Sequence, residues 1–410
     1  MPRTEPAARR PLRVAQIAAA SSRSPWFTNI CSEVARRGFE VVAVIDSSEG
    51  DLSQRLTALG IRHYKVPMYF GGSLDRVRLP LYVLSLPYVI ARIAWLLRRE
   101  RIDIAHSHIF VANFATRIAC LLTGTRHVAG IAGPRHLEAA VTRIAERLTW
   151  RADDLIVCGC EYSASLYRRL GVPHERISCA YYGSPAESFD PATVDREAFR
   201  RELDISPHTP LVGLVAHFYP PMRGLQAPRA TRGVGLKGHE TFLAAARIVA
   251  CRFPEARFVL VGNGVNALGE KYRRSLIESC RADGFIERVF FPGYRHDLQR
   301  VLISFDVAVQ CSLTECLGGT IEALLMERPT VASRVGGMPE AVRHEETGIL
   351  VPPADPPALA AAIERLLADR GEAQRLARAG RALMLERFTL ARTGNDLASL
   401  YSRVAGAGRC

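Results

Sequence analysis

Two glutamates, Glu315 and Glu322, flank the segment CLGGTI, and the residues after it are largely apolar until Pro329. The pattern predicts a helix from about Thr320 to that proline, with Gly318 and Gly319 in the turn before it. Backbone N–H groups left free at a helix start, together with the helix dipole, favour a phosphate. A carboxylate one turn into such a helix can accept hydrogen bonds from two neighbouring hydroxyls, which makes Glu322 a candidate for holding a ribose. An acidic first turn that only stabilises its own helix accounts for the same spacing.

Lys237, in GLKG, stands before another helical pattern. A point charge on a flexible stem suits a diphosphate whose charge grows as a bond to it breaks, and the plain alternative is a solvated surface lysine. Gly262 and Gly264 form a GxG after an apolar run, by itself a weak nucleotide signal. The next glycine is Gly269 rather than one at position 267, which speaks against a dinucleotide fold. His108 closes the run DIAHSH, where parallel sheets bind ligands beyond their strand ends, and His106 precedes it on the same face. A satisfied core histidine is the alternative for each. Asp153 and Asp154 are adjacent and lack the Asp-x-Asp spacing that holds a divalent ion, so no metal site is expected.

The elements that must position these residues are short β-branched runs alternating with helical patterns. LRVAQIA (12–18), EVVAVID (40–46), DIAHSHI (103–109), DLIVCG (154–159) and RISCAYY (176–182) form one series. LVGLVAHF (211–218), RFVLVGNG (257–264), RVFFPGY (288–294), DVAVQCS (306–312) and PTVASRVGG (329–337) form a second. The fold class is therefore α/β, with two Rossmann-like domains facing a cleft. The expected division is 1–190, 205–390 and a terminal helix over 391–410 that packs on one of them, with the boundary in the polar stretch GSPAESFDPATVDREAF.

With 48% hydrophobic residues, the 410-residue chain is not disordered, and ten cysteines without a CxxC pair indicate neither a zinc ribbon nor a disulfide framework. A reducing cytoplasm fits that usage. Neither a spanning helix nor a cleaved signal peptide is expected. Of the net charge of +13, residues 1–110 carry +7, from 16 basic against 9 acidic side chains. The segment LPLYVLSLPYVIARIAWLL (79–97), ringed by Arg76, Arg78, Arg98, Arg99 and Arg101, suits either an anionic membrane interface or a buried helix with cationic ends. No basic stripe interleaved with aromatics is present, and no nucleic-acid partner is expected.

The region SLTECLGGTIEALLMERPTVASRVGGMPEAV followed by TGILVPPAD (312–355) resembles the retaining glycosyltransferases of family 4, which have the GT-B fold. GLKGHETFLAAA, FVLVGNG, PGYRHDL and DIAHSHIF resemble further blocks of that family. The resemblance implies a metal-independent transfer from a nucleotide diphosphate sugar to a hydroxyl acceptor, with no other cofactor. It places Glu322 on the ribose, Gly318, Gly319, Thr320, Gly262 and Gly264 around the donor, Lys237 on the diphosphate, Glu315 on the sugar, and His108 near sugar or acceptor. The family spaces its glutamates eight apart, but here they are seven apart, and His217 occupies the place of a family arginine. Among Arg223, Arg229 and Arg232 in the insertion before Lys237, Arg232 is the expected substitute. A glycan or lipid-linked acceptor, cell-surface glycan biosynthesis, and peripheral attachment to the inner face of the cell membrane complete the expectation. The alternatives are a GT-B-like sugar-nucleotide epimerase and a basic nucleic-acid-binding protein.

Overall fold

The computed structural model describes residues 10–20, 24–47, 50–68, 78–221 and 234–407, with the side chains of 78–83 set aside. Arg76, Arg223, Arg229 and Arg232 lie outside the described residues. Strands β1 (Arg13–Ala18), β2 (Glu40–Asp46), β3 (Arg62–Val66), β4 (Ile104–His108), β5 (Arg126–Ile131), β6 (Leu155–Cys158) and β7 (Ile177–Cys179) make a 7-stranded sheet in the order β3-β2-β1-β4-β5-β6-β7. Strands β8 (Leu211–Val215), β9 (Arg257–Val261), β10 (Val289–Gly293), β11 (Val307–Gln310), β12 (Thr330–Ser333) and β13 (Ile349–Val351) make a 6-stranded sheet, β10-β9-β8-β11-β12-β13. Neighbouring strands are parallel, for example Val14↔Val41 and Ala308↔Thr330. Helices cover both faces, which is why the central strands read as continuous apolar runs and not as alternating ones. The molecule thus has two Rossmann-like α/β domains.

Three strands fall outside the runs picked from the sequence. β3, RHYKV, is an edge strand with a polar face, and β5, RHVAGI, is broken by Arg126, His127 and Gly130. β13 lies within TGILVPPAD and pairs in parallel with β12, Val331↔Ile349, and the bridge His344↔Gly348 closes the turn before it. The helix expected to run from Thr320 to Pro329 stops at Leu325, and Glu327 takes a left-handed φ of 53°.

Each sheet reverses its strand order once, between β1 and β4 and between β8 and β11, and ligands bind at such points beyond the strand ends. After β7 the chain crosses to the second sheet, where Phe199 of the helix Ala198–Glu202 is fully buried with Leu211 and Phe305. The chain then returns. Ser184 N–H donates to Phe388 O at 3.1 Å and Leu390 N–H to Ser184 O at 2.9 Å, so the two crossings run side by side. The helix Leu390–Gly406 packs on the first sheet's side, burying Leu397 and Tyr401 against Val14, Ile30 and Val34. Arg37 fastens it by donating to Asn395 Oδ1 at 2.9 Å.

Among the helices of the first domain that leave apolar side chains outside are Arg78–Arg99 and Ala140–Thr149. Arg78–Arg99 buries Ile93, Leu96 and Leu97 but exposes Leu84, Tyr88 and Trp95, with the Arg92 and Arg99 guanidinium groups each 4.8 Å from the Trp95 ring centre. Ala140–Thr149 exposes Val141, Ile144 and Leu148, the last at 73%, alternating with exposed Arg143 and Arg147. The sequence pattern alone does not single out this second helix. Among the described residues no helix is long and apolar enough to cross a membrane.

Candidate active site

A cleft of about 740 Å³ opens between the two sheets at their strand ends. Trp26, Asn29 and Tyr182 line it from the first domain, and Ser184 from the crossing chain. From the second come His217 after β8, Gly262 after β9, Tyr294 after β10, and Lys237, Glu315, Gly318, Gly319 and Glu322. Two switch points and two glutamates thus meet in one space.

Glu315 stands at the centre of the loop after β11. Its carboxylate forms an ion pair with Lys237, accepts the Cys316 N–H at 3.1 Å, and takes the Ser312 hydroxyl at 3.4 Å. Burial disfavours the charge on Lys237, yet the carboxylate beside it holds that ammonium above its ordinary pKa. The cation also lies 5.8 Å from the Tyr219 ring centre. Gly318 has φ +55°, and a Cβ there would stand 3.2 Å from the Glu315 carboxyl group, so a glycine both permits the turn and leaves the carboxylate room. Gly336 backs the same loop from below, where a Cβ would meet the Glu315 carbonyl oxygen at 1.8 Å.

Glu322 projects from the first turn of Thr320–Leu325. Its Oε1 accepts the Ser184 hydroxyl at 2.5 Å, while Oε2 is buried without a protein partner. Burial pushes this carboxyl group above the usual range, opposed by the Ser184 hydrogen bond. A buried polar atom without a partner costs about 1–3 kcal/mol, so the site has capacity for a donor hydroxyl.

Not every expected residue reaches the cleft. Thr320 is fully buried and its hydroxyl donates to the Leu317 carbonyl, so only its position at the helix start remains of that expectation. Gly262, at φ +144°, lines the cleft, and a Cβ there would meet Ala216 O at 2.2 Å. Gly264 lies behind it, its N–H donating to Glu270 Oε2 at 3.1 Å. His108 ends β4 as expected but is fully buried. Its Nε2 is 2.8 Å from Gln16 Oε1 and its Nδ1 is 3.0 Å from Tyr182 OH. Because Gln16 Nε2 donates to Tyr401 OH at 2.8 Å, its Oε1 is left to accept a hydrogen bond from His108 Nε2–H, and His108 Nδ1 accepts from the Tyr182 hydroxyl. The ring is therefore a neutral core group, with burial lowering its pKa to about 3. His106, beside it at 4.1 Å between ring centres, is equally buried.

Asp153 and Asp154 are structural. Asp153 takes Arg117 Nε and Nη2 at 2.7 and 2.6 Å and His127 Nδ1 at 2.6 Å, and Asp154 takes the His127 N–H at 2.8 Å. Among the described residues no group of three or more His, Cys, Asp or Glu could hold a metal ion.

Three positions at the cleft and the domain seam have no signal of this kind in the sequence reading. Ser184 lay in a stretch read as a linker, and only the return of the chain beside Phe388 brings it to Glu322. Tyr182 joins the cleft wall to His108. Glu340, in the GGMPE turn, reaches the first domain and accepts the N–H groups of Glu161 and Tyr162 at 2.9 and 3.0 Å and the Tyr181 hydroxyl at 2.9 Å. A carboxylate from one domain thus caps the helix Glu161–Arg169 of the other. Its motif was visible in the sequence, but its partners were not.

The family model "Glycosyl transferases group 1" matches residues 231–369 and "Glycosyl transferase 4-like domain" matches residues 25–183. The D-inositol 3-phosphate glycosyltransferase of Corynebacterium diphtheriae is 29% identical over 94% of this chain and 90% of its own length. The alpha-D-kanosaminyltransferase of Streptomyces kanamyceticus is 28% identical over 75% of this chain and 79% of its own. Anabaena Alr3699/HepE in complex with UDP-glucose superposes with a TM-score of 0.78 at 19% identity, over 96% of this chain and 100% of that one. With a matching model on each side of the cleft and relatives of nearly full length, the chain belongs to the GT-B glycosyltransferases of family 4.

Proposed function

We propose that this glycosyltransferase is a retaining, metal-independent hexosyltransferase that moves a sugar from a nucleotide diphosphate sugar to a hydroxyl acceptor. The observation that carries the reading is the pairing, within one cleft, of the Lys237–Glu315 ion pair with the unpartnered Oε2 of Glu322. Glu322 holds the ribose, and Lys237 holds the diphosphate beside the Gly318-Gly319 turn. Glu315 then passes from its ammonium partner to a sugar hydroxyl. Lys237 offsets the charge that builds on the leaving diphosphate, in a site partly shielded from water. The acceptor hydroxyl attacks the face the diphosphate leaves, and its proton passes to the leaving phosphate. No protein nucleophile is assigned. Arg232 is proposed as a second cation on the diphosphate.

Trp26, Asn29 and Tyr182 form the acceptor side. We place the acceptor among glycans or lipid-linked glycans of cell-surface biosynthesis, with the enzyme in the cytoplasm and held peripherally at an anionic inner membrane face. The outward Tyr88 and Trp95 and the helix Ala140–Thr149 support that attachment. Incubation with a panel of nucleotide sugars, with and without lipid extract, followed by assay of free nucleotide and NMR of the product anomer, tests the reading. Retained configuration and undiminished rate in EDTA are expected. Inverted product, strict dependence on added Mn²⁺ or Mg²⁺, or conversion of the donor to an epimer without acceptor would overturn it.

A further inference from the structure

The loop that carries Glu315 is held from both domains. On its own side, Leu313 N–H donates to Leu236 O at 2.9 Å, next to Lys237, and the Glu315 carbonyl accepts the Gly337 N–H at 3.3 Å. From the first domain comes Glu138, the last residue of the short helix Arg135–Glu138 that follows β5. Its Oε2 accepts the Thr314 hydroxyl at 2.7 Å, one residue before Glu315. Thr314 is 7% exposed and Glu138 is half-buried, so water competes weakly for this contact. Neither residue lines the cleft described above, so whatever Glu138 does there it does through Thr314.

The contact belongs to a chain of polar groups that crosses the domain seam twice. The Tyr162 hydroxyl lies 3.5 Å from Glu138 Oε1, and the Tyr162 N–H donates to Glu340 Oε1 at 3.0 Å. Glu340 is back in the second domain, where its own N–H donates to the carbonyl of Gly337 at 2.9 Å, the residue that holds the Glu315 carbonyl. The path through Thr314, Glu138, Tyr162 and Glu340 thus begins and ends on the backbone around Glu315.

We propose that Glu138 is a positioning residue for transfer: from the acceptor-side domain, and through Thr314, it fixes the backbone from which Glu315 reaches the donor sugar. This rests on the reading that Glu315 contacts that sugar. The Glu315 carboxylate has a competing partner in Lys237, so its aim depends on where its backbone is held. A displacement of about 1 Å at such a group can cost about a hundredfold in rate. Because one of the holds comes from the other domain, the sugar pocket is complete only while the first domain sits against the loop. Assembly of the pocket is in this way coupled to closure of the cleft.

Amide hydrogen exchange of the full chain, without any donor, reads the positioning directly. Glu138→Ala and Thr314→Val should each speed exchange of the Leu313 and Cys316 amides about tenfold or more, the scale of one hydrogen bond to a charged group, and leave the helix Thr320–Leu325 unchanged. With the nucleotide sugar that the donor panel selects, both variants should lose about tenfold in kcat while donor KM stays within about twofold, because Glu322 and Lys237 are untouched. Glu138→Gln and Thr314→Ser, which keep an acceptor oxygen and a hydroxyl, should restore most of the rate. The double variant should be no worse than the poorer single one. Unchanged exchange in the loop, additive losses, or a loss confined to KM would overturn the positioning. Faster exchange with unchanged kcat would overturn its bearing on transfer. Full activity of Glu315→Gln would instead overturn the sugar assignment, and the exchange measurement, made without donor, tells the two failures apart.

Discussion

Ser184 and Glu322 come from opposite sides of the domain crossing and meet at 2.5 Å, leaving one carboxylate oxygen occupied and the other buried and open. The hydroxyl fixes the direction in which the open oxygen faces. Ser184→Ala should therefore weaken donor binding about three- to tenfold, the scale of one hydrogen bond, with little change in turnover at saturating donor. Glu322→Ala should cost about tenfold to thousandfold in activity. Donor KM and kcat measured for both variants check this. Equal losses would show that Ser184 does not act through the glutamate.

The same carboxyl group sets an acid limb. Burial raises its pKa, so it protonates at a higher pH than an ordinary glutamate, and the neutral acid loses its charge and gives up part of its acceptor capacity to the proton. Donor affinity should fall as pH drops through that raised value, and Glu322→Gln should flatten this limb of the pH profile. Stability moves the other way. The folded state binds the proton more readily than the unfolded chain, so this group's contribution falls as pH rises through the same window.

Lys237 and Glu315 form an ion pair in the cleft, and the proposed transfer gives each a separate task. Lys237→Ala should lower activity about tenfold to thousandfold and leave a partly buried carboxylate without its cation. Glu315→Gln should keep the fold and slow transfer. Arg232→Ala should hurt more than Arg223→Ala or Arg229→Ala if it replaces the family arginine. Thermal melts run beside nucleotide-release assays separate lost folding from lost chemistry.

Buried histidines should make the fold acid-sensitive. Burial lowers His108, His136 and His239 each to about 3. The unfolded chain binds these protons near the ordinary value of about 6.5, so stability is complete above that pH and is lost progressively as pH falls toward 3. Calorimetric Tm should drop between pH 7 and 5. A Tm independent of pH over that range would contradict neutral burial.

Vesicle binding should depend on the outward apolar residues. The protein should sediment with anionic vesicles at low salt and release as ionic strength rises. Ile144→Ser with Leu148→Ser, and Trp95→Ser, should weaken what remains at high salt. Leu96 is only 2% exposed, so its substitution should act on stability. Equal sedimentation with neutral vesicles would remove the electrostatic part.

The alternation of apolar runs and helical patterns, the switch from one series to another near residue 200, and the Glu315–Glu322 segment were legible because each is local. Strand period, turn glycines and helix starts are determined within a few residues of chain. Edge strand β3 and three-residue β13 were not legible, since their apolar pattern is too short or too polar to stand apart. His108 shows the limit most plainly. Its place at a strand end was readable, but whether the ring faced ligand or core depended on Gln16, Tyr182 and Tyr401, which arrive from three distant elements. By itself, the sequence determined which residues carry charge and glycine freedom. Only the tertiary structure decided which of them share a cavity, because pairings such as Ser184 with Glu322 and Glu340 with the helix at Glu161 are made across the domain seam, where no local pattern records the partner.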